Sequence, residues 1–487
     1  MQQNIFARDK EIKILNNVLT SKEAELVAVY GRRRVGKTYL IREYFTNKGI
    51  YCEFVGKKDG TLQEQLENFA MAFSKTFYNG IPIKNPNNWK EALKQLTEEI
   101  AKVPRTKKVV IFFDELPWMA TPKSGLLQNI DYFWNSQWSA FKNLKIILCG
   151  SAAAWILDNL INAKGGLYNR ITKTILLEPF NLYETKMFLK KQGLNLNDHN
   201  ILDVYMAMGG IAHYLKQVQK GKSAAQNIND ICFHKNGLLY TEFPRIFKSL
   251  FDESELHLAI IRKIAKHHYG LDRNQLLADL GVKSGGTFNK RLEELESSGF
   301  IQSFIPYGRK IKDHYYRIVD EYSLFYLTWI EPYVAKKLGS SRSTYWPSKL
   351  KTGGWSSWAG VAFEQTCYKH IEQIKQALGI EQISCEVGNW RYIPTKGSNE
   401  QGAQIDLLFD RDDGTISICE IKYCADEFVI DKAYANNLVN KLNVFEKHFK
   451  SKKQIFLAMI TTSGVKKNMW HEDLVHSEVK LKDLMCF

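Results

Sequence analysis

Residues 25–45 read ELVAVYGRRRVGKTYLIREYF, and the order of features in this stretch decides the fold of the N-terminal half. Glu25 to Tyr30 form an apolar run of the kind found in a strand buried on both faces. The next eight residues, Gly31-Arg32-Arg33-Arg34-Val35-Gly36-Lys37-Thr38, match the spacing G-x-x-x-x-G-K-[ST]. From Thr38 onward the chain reads as a helix. Gly31 and Gly36 let the backbone curl so that its N–H groups and the helix N-terminus face phosphate. Lys37 is spaced to reach the β- and γ-phosphates, and Thr38 to offer its hydroxyl to Mg²⁺. The loop from Gly31 to Tyr39 is therefore the expected ATP cradle.

Two further strands point to the same end of a parallel sheet. In KKVVIFFDELPWM (107–119) five apolar residues end in Asp114-Glu115. Ligands bind at the C-terminal ends of such strands. Asp114 is expected to hold Mg²⁺, partly through water, and Glu115 to polarise the attacking water. In LKIILCGSAAAW (144–155), Ser151 follows the strand tip as a polar sensor of nucleotide state. Arg170, just before another strand, could reach the γ-phosphate in cis or across a subunit boundary. A structural salt bridge is the alternative.

The boxes NIFARDKEIKIL, GRRRVGKT, VVIFFDE, IILCGS, LYNR…LLEPF and MGGIAHYL occur in this order. Together they resemble the archaeal-type P-loop ATPases, relatives of the AAA+ and STAND proteins, over roughly residues 4–220. The resemblance implies that Phe6-Ala7-Arg8 lies by the nucleotide base, with Phe6 and Arg8 as contacts. One departure stands out: the Gly-Gly-x-Pro expected around 209–212 reads Gly-Gly-Ile-Ala.

The expected organisation is α/β. A P-loop parallel-sheet ATPase core (1–178) is followed by a helical lid (179–250), a winged helix-turn-helix (251–320) and a C-terminal α/β domain (321–487). The third part rests on three amphipathic helices followed by two strands. Thr287, Asn289, Lys290 and Arg291 lie where they could meet DNA, although Glu293, Glu294 and Glu296 on the same helix oppose phosphate. A packing module is the alternative.

In the last part, AQIDLLFDRDDGTISICEIKY (403–423) alternates, turns and alternates again, as a hairpin does. The polar run 339–357 before it reads as a loop, and Glu364 falls on the helix that follows. Glu-x-Lys occurs elsewhere, at Glu11, Glu184 and Glu478. Only the copy at Glu420 has an aspartate on a facing strand. Glu420 and Lys422 share one strand face. With the turn centred near Asp412, Asp406 faces Ile418 and lies about 7–8 Å diagonally from Glu420. Asp406, Glu420 and Glu364 would then ligate one Mg²⁺, and Lys422 would position or help deprotonate a water. The constellation resembles the PD-(D/E)xK, restriction-endonuclease-like fold over about 310–460. That resemblance implies DNA cleavage; a fold that no longer cuts and only binds a partner is the alternative.

The bulk numbers set limits. A chain of 487 residues needs several cores. A net charge of +15 favours polyanions, so DNA is the expected partner through a basic surface. A homo-oligomer or a protein partner stays open. No apolar run approaches the roughly 18 residues of a membrane span, and the N-terminus lacks a signal-peptide pattern. The expectation is a cytoplasmic protein without a membrane partner. The eight cysteines include no Cys-x-x-Cys, and Cys149 and Cys419 read as reduced core residues.

Overall fold

A computed structural model describes residues 5–162, 166–251, 253–310, 314–336, 344–395, 397, 400–449 and 452–486. Two compact units emerge: Met1–Pro179 with Lys290–Gly299, and Phe180–Asn289 with Phe300–Phe487.

The first unit is built on five strands: β1 (Glu25–Tyr30), β2 (Ile50–Val55), β3 (Val109–Asp114), β4 (Leu144–Gly150) and β5 (Lys173–Leu176). They pair in the order β2-β3-β4-β1-β5, all parallel. Every residue of β3 and β4 is buried, which is why both strands are apolar apart from Asp114 at the tip of β3 and Lys145 near the start of β4. Helices cover the sheet. The helix Leu62–Phe77 starts at a capping box in which Thr61 and Glu64 satisfy each other's backbone N–H groups. Its Phe69 stacks on Phe54 of β2 and meets Trp89 edge-on. Trp138 is fully buried, and its indole N–H donates to Thr97 Oγ1 at 2.8 Å, so burial leaves no orphaned donor. Because the strands are parallel, the C-terminal ends of β1, β3 and β4 open on one side, where their loops can converge.

The second unit holds two smaller sheets. β6 (Leu271–Asp272), β7 (Ile301–Phe304) and β8 (Tyr315–Ile318) form an antiparallel sheet in the order β6-β8-β7. Asp272 caps the helix Arg273–Leu280 by accepting from the backbone N–H groups of Asn274 and Gln275. Gly281 closes that helix at φ 62°. The larger sheet comprises β9 (Cys385–Tyr392), β10 (Ala403–Arg411), β11 (Thr415–Lys422), β12 (Gln454–Thr461) and β13 (Ser477–Lys480), ordered β13-β12-β11-β10-β9. β9, β10 and β11 are antiparallel neighbours, whereas β11, β12 and β13 run parallel.

Two expectations need correction here. Leu408, not Asp406, stands opposite Ile418. The connection is the three residues Asp412–Gly414, with Gly414 at φ 83°. A three-residue hairpin ending in a left-handed glycine moves the centre of the turn to Asp413. Continuing the register by one pair beyond Leu407↔Cys419 puts Asp406 directly across from Glu420. The run 339–357 is also not simply a loop. Residues 339–343 lie outside the described ones, but the rest contains the helix Tyr345–Lys349 and the start of the helix Gly353–Tyr368. Thr352 caps the latter. Trp346, Trp355 and Trp358 pack ring against ring, and this aromatic burial overrides the weak helix propensity of Gly353 and Gly354.

Among the described residues no helix is long and apolar enough to cross a membrane. All eight cysteines are free, with Cys149 and Cys419 fully buried.

Candidate functional site

The loop after β1 has the backbone its glycines suggest. Gly31 lies at φ 135° and Gly36 at φ 103°. A Cβ on Gly31 would stand 2.3 Å from Leu177 O, so only glycine lets this loop pass the chain leaving β5. Lys37 is buried. Its ammonium donates to the loop's own carbonyls, Gly31 O at 2.8 Å and Arg32 O at 2.9 Å. Burial pulls its pKa down, and the nearby Cys149, Glu115 and Asp114 oppose that pull.

Thr38 Oγ1 donates to Asp114 Oδ2 at 2.8 Å, joining the start of the helix Lys37–Phe45 to the tip of β3. Burial raises the Asp114 pKa, while the Thr38 hydrogen bond opposes it. Glu115 sits in the left-handed region at φ 50°. Non-glycine residues held there are uncommon and cluster at functional sites. The turn aims its carboxylate at Ser151: Oε2 accepts from Ser151 N at 3.1 Å and from Ser151 Oγ at 2.9 Å. Loops from three strand ends thus place Lys37, Thr38, Asp114, Glu115 and Ser151 in one connected group.

The remaining expected residues are placed as follows. Arg8 is buried and donates to Glu178 O at 2.9 Å and Val35 O at 3.4 Å, so it touches the P-loop backbone. Phe6 is half-buried just before it, and Arg32 is buried. Arg33, Arg34 and Val35 complete the turn, with Arg34 at φ 71°. Tyr39 is 44% exposed. Arg170 follows a short 3₁₀ turn, Gly166–Asn169, and its buried Nε makes no hydrogen bond among the described residues.

Residues 5–218 match the family described as an ATPase domain predominantly from Archaea. Residues 5–218 are thus similar to archaeal ATPase domains. An uncharacterized protein of Methanocaldococcus jannaschii is 22% identical over 408 residues, spanning 82% of this chain and 83% of its own length. An uncharacterized ATP-binding protein of the same organism is 24% identical over 294 residues, spanning 51% of this chain and 80% of its own. Among solved structures, the Walker-type ATPase of Pyrococcus abyssi is similar at 20% identity and a TM-score of 0.49, over 67% of this chain and 97% of that one.

Outside residues 5–218, a second group of charges lies on β10 and β11 and the helices around them. Asp406 and Glu420 are buried, at 8% and 3% exposure. Asp406 Oδ2 accepts from the backbone N–H of Ile421 at 3.0 Å, and its Oδ1 accepts from Gln404 Nε2 at 3.3 Å. Glu420 Oε1 accepts from Tyr434 Oη at 2.6 Å and pairs with Lys422 Nζ at 3.0 Å; Oε2 takes Lys441 Nζ at 2.5 Å. Tyr434 and Lys441 are seven residues apart, two turns of the helix Lys432–Phe449, so one face delivers both. Glu364 Oε1 accepts from Tyr368 Oη at 3.0 Å. Tyr368 also donates to Asp406 O, and the Arg317 guanidinium lies 3.7 Å from the Tyr368 ring centroid.

The electrostatics sort these acids. Burial, reinforced by the charge of Asp406, pushes Glu364 up to about 8. Burial and the charge of Glu420 push Asp406 up to about 6. Burial also works against ionised Glu420, but the Lys422 and Lys441 ammoniums outweigh it and hold this carboxyl below the usual value. Lys422 is raised: burial would lower it, and Glu420 and Asp406 overcome that. Among the described residues, no group of three His, Cys, Asp or Glu side chains is arranged to hold a metal ion. Both Glu420 oxygens already carry cationic or phenolic donors, and Glu364 favours its protonated form at neutral pH. This donor set, as arranged, does not fit a divalent cation.

Sequence reasoning missed Gln404, Tyr368, Tyr434, Lys441 and Arg317. Gln404 shares the strand face of Asp406 by its two-residue spacing, and Tyr368 lies one helical turn from Glu364. Those two were legible. The other three come from elements whose approach only folding defines.

Proposed function

We propose that this protein binds Mg²⁺–ATP on the loop Gly31–Tyr39 and hydrolyses it, and that nucleotide state governs a second unit that engages nucleic acid. The observation carrying the first part is the connected group Lys37, Thr38–Asp114 and Glu115–Ser151 at one edge of the parallel sheet. Lys37 would exchange its two loop carbonyls for β- and γ-phosphate oxygens. Thr38 and Asp114, already 2.8 Å apart, would hold Mg²⁺, with Phe6 and Arg8 on the base side. Bound Mg²⁺ supplies charge neutralisation across the phosphates. Glu115 would turn from Ser151 to orient water, Ser151 would report the γ-phosphate, and Arg170 would offset developing charge. In the test, Lys37→Ala abolishes binding of a fluorescent ATP analogue. Glu115→Gln keeps binding but lowers turnover by about 100-fold or more. Unchanged turnover in both variants sinks the assignment.

In the second unit, the helices Ser254–Ile264 and Arg273–Leu280 with the β6-β8-β7 sheet support a winged-helix reading, and the mixed C-terminal sheet supports a restriction-endonuclease-like one. Asn289 of that unit accepts from Arg273 Nε at 2.7 Å, and Arg291, which belongs to the first unit, pairs with Glu294 at 3.0 Å. These contacts must loosen for either residue to meet DNA.

Mg²⁺-dependent cleavage is a second reading, favoured by Asp406, Glu420 and Lys422 lying on one strand-pair face beside Glu364. Because the donor set as arranged does not fit a divalent cation, it requires Lys441 and Tyr434 to leave Glu420 and Glu364 to lose its proton. The assay compares wild type with Asp406→Ala and Lys422→Ala on DNA and RNA, with ATP and Mg²⁺. No cleavage of any form by wild type ends this reading and leaves a switch ATPase whose C-terminal domain only binds.

A further inference from the structure

We propose that a cavity beside the Asp406 strand binds an unstacked base of single-stranded nucleic acid together with its flanking phosphates. The inference rests on the reading of the second unit as the part that handles nucleic acid. The cavity encloses about 400 Å³, within the roughly 300–1,000 Å³ of ordinary ligand sites. It lies against β7, β8, β9 and β10, all within the second unit. Its lining combines two chemistries. Tyr269, Phe304 and Tyr315 supply aromatic faces, and Lys266, Arg309 and Arg391 supply positive charge. Among the described residues, no aspartate or glutamate lines it.

Tyr269 is 47% exposed, and the Arg391 guanidinium stands 4.6 Å from its ring centroid. An exposed ring with a planar cation above it is a surface on which a base can stack while its phosphate meets the arginine. A free carboxylate-lined cleft would repel that phosphate. A duplex keeps its bases stacked and cannot offer one to such a pocket without extrusion.

The cavity does not stand alone. A second hollow of about 390 Å³ shares Arg391 and Gln404 with it and ends at Lys441, which holds Glu420. A narrower one shares Tyr269 and Phe304 and reaches Glu364 and Tyr368. Gln404 lines the main cavity and donates to Asp406. The basic, aromatic track therefore extends from the main cavity through the 390 Å³ hollow to the Lys441 side of the carboxylate cluster, whereas the opening toward Glu364, about 10 Å³, is too small for a nucleotide.

The test uses the full-length protein and fluorescence anisotropy with short oligothymidylate, oligouridylate and a duplex of the same length. Wild type should prefer both single strands to the duplex. Tyr269→Ala should weaken single-strand binding by about fivefold or more. Arg391→Ala should weaken it and reduce the slope of log K against log salt by roughly 1. ATP turnover and the circular dichroism spectrum should match wild type in both variants. Wild-type affinity in both variants overturns the pocket while leaving nucleic-acid engagement by the unit standing. Equal competition by AMP at the same concentration also overturns it, because the site would then take a lone nucleotide. A wild type that binds no oligonucleotide removes both this inference and the reading on which it rests. Cleavage by the Asp406 cluster is read separately from all of these outcomes.

Discussion

Glu364 shows how a single residue reports its surroundings. Its carboxyl is pushed up to about 8 from 4.5, so the folded protein binds this proton more tightly than the unfolded chain. The sign follows from linkage. The contribution to stability is fully present below about pH 4.5 and is lost as pH rises through about 8. Glu364→Gln removes the titration and keeps most of the shape. Relative to wild type it should gain stability as pH rises from 5 to 8, on the order of 2 kcal/mol by the upper end. Denaturant unfolding at several pH values measures this, and a pH-independent difference would refute it. At this scale the acids themselves were legible, because Asp406, Glu420 and Lys422 follow from strand alternation. What they hold was not. Lys441 and Tyr434 sit more than ten residues downstream of Glu420 on a helix whose docking depends on its apolar face, and no local spacing announces them.

Between elements, His370 ties the helix Leu182–Lys191 to the helix Gly353–Tyr368. Its Nε2 accepts from the backbone N–H of Leu182 at 3.0 Å, and its Nδ1 donates to Thr366 O at 2.7 Å. The Nε2 bond requires the neutral ring, and burial, opposed by the Thr366 hydrogen bond, lowers its pKa to about 4 from 6.5. The unfolded chain therefore takes up this proton first. The contribution is present above pH 6.5 and is lost as pH falls toward about 4. His370→Phe should cost about 1–3 kcal/mol at pH 7, because the Leu182 N–H loses its partner. It should also flatten the acid-side loss of stability; an unaltered acid limb would count against this role. The hairpin teaches a related lesson. Its strands were readable from alternation, but the register was off by two residues, because the turn is the three residues Asp412–Gly414 centred on Asp413, not a turn centred near Asp412. A shift of two keeps every side chain on its face, so Asp406 and Glu420 still meet, only more directly.

The molecule as a whole has two compact units, and a ligand of one need not stabilise both. Mg²⁺–ATP at about 100 times its Kd should stabilise the first unit by about 2.7 kcal/mol. Calorimetry should show this as one transition moving upward with nucleotide, and Lys37→Ala should abolish the shift. A nucleotide-independent profile in wild type would contradict ATP binding at this loop. The net charge of +15 acts on another axis, making any nucleic-acid binding steeply salt-dependent.

The sequence by itself determined the N-terminal parallel sheet and its phosphate-binding loop. Its information is local there: a strand, a glycine-hinged loop and a helix are contiguous, and the acids ending β3 follow an unbroken apolar run. Backbone sterics and burial on both faces of a parallel sheet leave few other arrangements for such segments. Only the tertiary structure decided the rest. It placed Ser151 on Glu115, put two lysines and a tyrosine on Glu420, turned part of a polar run into tryptophan-packed helix, and opened an aromatic, basic cavity from residues 266 to 405. Those contacts join segments far apart in the chain. Their geometry is set by how apolar faces pack and by which buried charges must find partners, and neither is written in any one stretch of sequence.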